Sequence, residues 1–323
     1  MGTLYIDRKG VALSAAAGRL CIREPGAEAR TLPLQLVERI VVHGQAQLDT
    51  SLLAALAEQG SGLVCLSGRH ARRFAQLAAP AHSDARRRLG QYRLVCDAEA
   101  SLQLARTWVS GKLAAQQRVL ERARQVRTDQ RLVLSRALER LQALSAGIAQ
   151  AGDLDALRGG EGAAAAAYFA GLQCLFAAAL GFNGRNRRPP RDPVNACLSL
   201  AYTLLHSEAV RAVQMAGLDP LLGCLHAPAW GRESLACDLI EPLRPHADAW
   251  VHGLFRERLL RAEAFNQDKG ACLLGKQGRG VFFAEWECWA PLPRRWLRRQ
   301  THALARLCTA HAPQLASATD DEA

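Results

Sequence analysis

The feature that most constrains the fold of this 323-residue chain is a change of hydrophobic period after its first quarter. Up to about residue 80 the apolar residues come in short runs rich in branched side chains, at 3–6, 11–14, 19–23, 31–36 and 39–42, with turn-forming Lys9-Gly10, Gly18 and Pro25-Gly26 between them. Such runs between turn residues are strand signals. A helical pattern over 50–59 precedes two further strands, at 62–66 and 72–77. From Leu102 onward the apolar positions (Ala105, Val109, Leu113, Leu120) recur at helical spacing. Helices are expected over 99–125, 130–150, 162–180, 193–217, 235–241, 245–261 and 294–311, with a short hairpin near 269–283 before the last of them. The expected class is α+β: a small, mainly β domain over 1–80, a basic linker over 81–97 carrying Arg86-Arg87-Arg88, and a larger all-α domain over 98–323.

Composition narrows the partners. The formal net charge is +11, and only four of the 41 basic residues are lysines: Lys9, Lys112, Lys269 and Lys276. Arginine's planar fork grips phosphate in two-pronged fashion where lysine offers a point charge, so the skew suits a polyanionic partner. Ten cysteines with no C-x-x-C and no two closer than 13 residues do not form a disulfide framework. They are expected to be reduced, in a cytoplasmic protein. Asp7, Arg8 and Lys9 fall where an export signal would need an apolar run. Residues 163–182 are twenty without a charge, but nine are alanines and Gln173 sits among them, so a buried helix is expected rather than a membrane span.

Three constellations could carry chemistry, all in the helical part. In Arg158-Gly159-Gly160-Glu161-Gly162 the paired glycines are expected to end one element and bring a backbone close to another, placing Glu161 in the first turn of the next helix. The second is a proline-stiffened loop carrying Arg185, Arg187, Arg188 and Arg191, followed by Asp192 as cap and Pro193 as first residue of a helix. A rigid arginine-bearing turn can engage a phosphate backbone without first being ordered. The third is His226 followed by Gly231-Arg232-Glu233-Ser234 and a short helix. There Ser234 is expected as cap, Asp238 and Glu241 share one face, and Pro242 and Pro245 end it.

Each has a plain structural reading: a carboxylate complementing a helix end, a solvated loop, a surface pair of acids with a packed histidine. Together they say more. Two carboxylates beside an imidazole, with Glu161 able to complete the set, make a hard-cation site suited to Mg²⁺ or Mn²⁺. An acidic pocket inside a basic chain suits phosphodiester chemistry: Arg185, Arg187, Arg188, Arg191 and Arg232 would grip the polyanion while a cation neutralises the reacting phosphate. No G-x-x-x-x-G-K-[ST] segment is present, so no nucleotide cofactor is expected.

These same residues resemble the CRISPR-associated endonuclease/integrase family, the catalytic subunit of the complex that inserts new spacers into a CRISPR array. The resemblance is carried by Gly160-Glu161-Gly162-Ala163-Ala164 with Tyr168-Phe169, by Arg187-Arg188-Pro189-Pro190 through Asn195 to Tyr202, and by His226 through Pro245. Asp7, Gly10 and Gly44 near the start, and Gly278-Arg279 with Phe282 near the end, agree more loosely.

The resemblance implies an N-terminal β domain that dimerises and an α-helical catalytic domain. It implies metal ligands at Glu161, His226 and Glu241, with Asp238 as an accessory catalytic acid. The implied reaction is attack by the 3′-hydroxyl of a protospacer strand on a phosphodiester at the edge of a repeat, with hydrolytic nicking as a side of the same chemistry. Implied partners are double-stranded DNA, a second copy of the chain and a small ferredoxin-like companion subunit, with no membrane. Pro242 and Leu243 depart from the acid and aromatic that many members carry. His206, His246 and His252 match no role and are expected to pack. Two alternatives stay open: a non-catalytic basic DNA-binding scaffold of the same fold, and a metal-dependent phosphohydrolase of small substrates.

Overall fold

The computed structural model describes residues 2–67, 73–77, 82–186 and 189–313. Its N-terminal part contains β1 (Gly2–Ile6), β2 (Val11–Ala16), β3 (Arg19–Arg23), β4 (Arg30–Pro33), β5 (Val37–His43), β6 (Ala46–Leu48), α1 (Thr50–Gln59), β7 (Gly62–Leu66) and β8 (Arg73–Leu77). Two four-stranded sheets result, ordered β4-β3-β2-β6 and β1-β5-β7-β8. In the second, β1, β5 and β7 run parallel and β8 closes the edge antiparallel. The run expected as a strand over 31–36 stops at Pro33, which has no N–H for a ladder, and Leu34–Leu36 form a 3₁₀ turn. The three-residue β6 was not anticipated and is too short to show a period.

Strands β5 and β7 are buried along almost their whole length because both faces of their sheet are covered. Ile40, Val42, Leu63 and Cys65 face the β core with Leu13, Leu20, Leu52 and Leu56. The alternate residues Val41, Val64 and Leu66 join the core of the helical part.

That part comprises α2 (Arg86–Cys96), α3 (Ala98–Val126), α4 (Arg131–Ala149), α5 (Leu154–Gln173), α6 (Pro193–Met215), α7 (Ser234–Ile240), α8 (Arg244–Arg256), the hairpin β9 (Phe265–Asp268) and β10 (Ala271–Leu274), then α9 (Lys276–Trp289) and α10 (Pro291–His311). Mixed β-then-α architecture is therefore as expected. The stretch expected as linker contains helix α2, held so closely on α10 that a Cβ at Gly90 would lie 1.7 Å from the Cys308 carbonyl oxygen. The hairpin comes earlier than expected, and Val281 to Phe283 belong to α9. Gly278 and Gly280 hid that helix in the sequence, yet Phe282, Phe283 and Trp286 are its buried face.

Polar contacts tie the β part to the helices. Arg294 bridges Glu287 and Glu208, Glu208 also receives Arg39 of β5, and Tyr5 of β1 donates to Glu287 at 2.6 Å while stacking on Phe283. Asp7 accepts from Arg279 at 2.8 Å and pairs with His43 at 2.9 Å. All ten cysteines are free, and no helix among the described residues is long and apolar enough to cross a membrane.

Candidate active site and its basic groove

Helices α3 and α5, the loop before α7, and the joint between α7 and α8 bring the candidate residues together. Glu161 does not open a helix as expected. Asp153 caps α5, accepting from Ala156 N at 2.8 Å, so Gly159 and Gly160 lie inside the helix and Glu161 two turns in. The glycine has a packing reason: a Cβ at Gly160 would stand 2.9 Å from Ile148 of α4. One turn before Glu161, Arg158 donates to the Leu225 carbonyl at 2.8 Å, fixing α5 against the loop that carries His226.

Glu241 sits where α7 gives way to a 3₁₀ turn, Glu241–Leu243, enforced by Pro242. The prolines here start elements rather than only ending α7: Pro245 stands in the first turn of α8. Ser234, expected as a side-chain cap, is instead the first residue of α7, and its hydroxyl donates to Ala227 O at 3.1 Å.

The two glutamates converge on a cation supplied by the chain itself. Lys112 Nζ donates to Glu161 Oε1 and, at 2.5 Å, to Glu241 Oε2. Arg244 pairs with the other Glu241 oxygen at 2.9 Å. Burial disfavours ionisation of Glu241, but Arg244 and Lys112 more than offset it and hold the carboxyl down to about 2.

Asp238 lies behind the histidine rather than beside this pair. Its Oδ2 accepts the N–H groups of Cys224 and Leu225 at 2.7 and 3.0 Å, and its Oδ1 accepts His226 N at 3.0 Å and faces His226 Nδ1 at 2.6 Å. The residue is fully buried, and burial lifts its carboxyl above the usual range against the pull of those donors. Asp238, expected as an accessory acid beside the ligands, makes its contacts with the imidazole and with the backbone N–H groups of 224–226. A carboxylate facing Nδ1 favours a hydrogen on that nitrogen, as in imidazoles whose other nitrogen binds a metal. Gly223 makes this loop possible, since a Cβ there would lie 2.7 Å from both Asp238 Oδ2 and the Ser234 backbone.

No three His, Cys, Asp or Glu side chains among the described residues form a ready metal cluster. The two carboxylates that share one cationic centre are the hard oxygen donors a divalent ion takes, and His226 is the nitrogen donor the motif would add to them.

Beside His226 opens a groove of about 930 Å³ between the β sheet and the helices. Arg73, Arg185, Arg232, Arg244 and Arg279 line it. Of the arginines expected to grip DNA, Arg232 lies in the groove wall and Arg191 is exposed. Arg187 and Arg188 fall outside the described residues. Arg185 lines the groove, but its guanidinium is committed to Asn195 Oδ1 at 2.8 Å and Ser199 Oγ at 3.0 Å, so it shapes the loop it was expected to arm. Arg185 and Arg244 both lie over the Tyr202 ring, at 5.3 and 4.7 Å, and Tyr202 donates to buried Asp248. Asp192 caps α6 with Pro193 at its start, as expected. His206 lines the groove, kept neutral by burial and by Arg73 and Arg244, which lower it to about 3. His252 packs edge-on against Phe176, and burial, with Arg118 and Arg122 nearby, lowers His246.

Sequence reasoning missed Lys112, Gly223, Arg73 and Arg244, and had Arg279 only in the looser part of the resemblance. For Lys112 a signal existed: a lysine in an arginine-rich chain, three residues after Val109 on the apolar stripe of α3, needs buried anions.

Residues 4–288 match the family model described as CRISPR associated protein Cas1. The chain is 35% identical over 309 residues to a CRISPR-associated endonuclease Cas1 of Thermodesulfovibrio yellowstonii, covering 95% of this chain and 96% of that protein. It is 36% identical over 292 residues to one from Thermus thermophilus, covering 89% and 84%. Among solved structures, a CAS1 protein from Thermotoga maritima superposes with a TM-score of 0.83 at 22% identity, covering 95% of this chain and 97% of that one. A casposase bound to integration product gives 0.81 at 20% identity, covering 95% and 91%.

Proposed function

This chain belongs to the Cas1 family of CRISPR-associated proteins, and from that premise we propose that it is a metal-dependent DNA endonuclease/integrase that inserts protospacer DNA into a CRISPR array. The observation that carries the reading is the convergence of Glu161 and Glu241 on one cationic centre beside an imidazole whose free nitrogen is set by Asp238, at the edge of an arginine-lined groove.

Glu161, His226 and Glu241 would hold a Mg²⁺ or Mn²⁺ ion, which when bound neutralises charge on the reacting phosphate and lowers the pKa of the attacking 3′-hydroxyl. The chain's own residues do the rest. Asp238 keeps the imidazole in one tautomer and orientation. Arg244 keeps Glu241 ionised although buried. Arg73, Arg232 and Arg279, each already oriented by a partner in the chain, Glu233, the Ala227 carbonyl and Asp7, would line the groove with positive charge for a phosphate backbone. Exchange of one phosphodiester for another needs little net energy, so alignment and charge neutralisation suffice.

The substrates are then double-stranded protospacer and repeat DNA in the cytoplasm, and the partners a second copy of this chain and a small ferredoxin-like companion subunit. Similarity to the Cas1-containing chain of a Cas6-RT-Cas1–Cas2 complex, with a TM-score of 0.81 at 19% identity, supports the fold side of that expectation.

A strand-transfer assay on a repeat-containing plasmid tests the proposal. Wild type is active with Mg²⁺ or Mn²⁺ and inactive with chelator, while Glu161→Ala and His226→Ala lose strand transfer and still bind duplex DNA. Undiminished transfer by both variants would remove Glu161 and His226 from the catalytic centre, and DNA binding without any metal-dependent transfer by wild type would leave a non-catalytic scaffold. Turnover of free nucleotides without DNA would indicate a small-substrate phosphohydrolase instead.

A further inference from the structure

Six tryptophans occur in the chain, and five are buried or packed against the helical core. Trp230 is the exception, with a relative exposure of 104%. It is not on a loose segment. Arg232 N donates to Ala229 O at 3.0 Å, and Gly231 has φ +67°, so residues 229–232 form a turn that needs glycine at its third position and places Trp230 at the apex. The arms of the loop are pinned where Ser234 Oγ and the Arg232 guanidinium both donate to Ala227 O. The loop starts at His226 and ends on the helix bearing Asp238, so the indole is held at a fixed place relative to the candidate active site. It lines the same groove as His226, Arg73, Arg232 and Arg279.

The surroundings choose the ligand. An indole that anchors a protein partner sits amid apolar contacts that exclude water. Trp230 itself is fully exposed, and the groove it borders carries five arginines against one carboxylate, Glu233; that balance suits a polyanion, and the polyanion with flat apolar faces is nucleic acid. Within a duplex each base face is already covered by its neighbours, so a ring standing in the groove can stack only on an unpaired base.

We propose that Trp230 is a stacking platform for an unpaired base of the DNA strand that enters the groove toward His226. The inference rests on the DNA-processing reading above and adds one residue to it: Trp230 fixes the register of the strand where it passes the turn. The arginines supply attraction along the strand, and the indole supplies a stop that is indifferent to base identity, because every base has a π-face.

The test uses the full-length protein and two DNA probes of equal charge, a duplex with a single-stranded 3′ tail and a blunt duplex. Trp230→Ala weakens binding to the tailed probe by roughly five- to a hundred-fold and leaves the blunt probe unchanged. Trp230→Phe keeps most of the affinity. The slope of log Kd against log salt is the same in all three proteins, because the ring carries no charge. Moving a single abasic site along the tail identifies one position that weakens wild type but not Trp230→Ala.

Equal binding of the tailed probe by wild type and Trp230→Ala overturns the inference while leaving the DNA-processing reading intact, as does an equal loss on both probes or a loss seen only with the companion subunit present. Failure of wild type to bind either probe overturns both.

Discussion

Lys112 Nζ lies 2.5 Å from Glu241 Oε2, across 129 residues of sequence, and the same ammonium reaches Glu161. Lysine thereby occupies the centre that two carboxylates on separate elements would offer to a divalent ion. Without a cation between them the carboxylates repel each other in a poorly solvated site, so the lysine keeps the pocket assembled until an ion competes for the same oxygens.

Lys112→Met separates these roles. Loss of the buried ammonium is expected to destabilise the metal-free protein by about 3 kcal/mol, read from urea unfolding. It also enlarges the rise in melting temperature on adding Mn²⁺, because no ammonium competes for the oxygens. The same Mn²⁺-induced rise in variant and wild type would show that Lys112 and the ion do not share a site.

Asp238→Asn keeps the size of the side chain but places a donating amide among three backbone N–H groups and an imidazole N–H. Strand transfer is expected to fall about 10- to 100-fold through misorientation of His226, with duplex affinity preserved. Unchanged transfer would remove Asp238 from the positioning role.

Gly223→Ala forces a methyl into space 2.7 Å from Asp238 Oδ2 and from the Ser234 carbonyl carbon. The loop must shift, at a cost of about 1–3 kcal/mol in unfolding free energy, and transfer is lost with DNA binding kept. Wild-type stability and activity in this variant would contradict the described path of residues 223–226.

Asp248 provides a pH signature. Burial pushes its carboxyl up to about 6 against Tyr202, Tyr168, Arg185 and Arg244, while in the unfolded chain it titrates near 4. A group raised on folding contributes stability that is complete below pH ~4 and is lost as pH rises through about 6, in all about 3 kcal/mol. Asp248→Asn should flatten that stretch of the stability-against-pH curve. An unaltered curve would show that the carboxyl titrates alike in both states.

What could be read along the chain was local. Strand runs, the caps at Asp192 and Pro193, and the helical stripe of α3 depend on neighbours a few residues apart, and the structure keeps them. Where a glycine served packing rather than a turn, reading failed: Gly160 and Gly278 looked like breaks but sit inside α5 and α9, admitting Ile148 and Leu274. Glu161, His226 and Glu241 were legible as residue types in ordered motifs, and the resemblance set Asp238 apart from Glu241, yet the partners of each were not legible. Glu241 and Asp238, three positions apart, face different partners, which come from α3, α8 and the 223–226 loop.

The amino-acid order alone determined the β-then-α division, the basic character and the chemical identity of the acid–histidine set, because these follow from period, charge and side-chain type. Tertiary structure alone decided that Lys112 joins two distant glutamates, that Asp238 turns away to hold the imidazole, that Arg185 is tied to its own loop, and that Trp230 stands in the groove. The physical reason is that hydrogen bonding and Coulomb attraction act over a few ångströms, and only the folded chain brings residues 10 to 129 positions apart within that range.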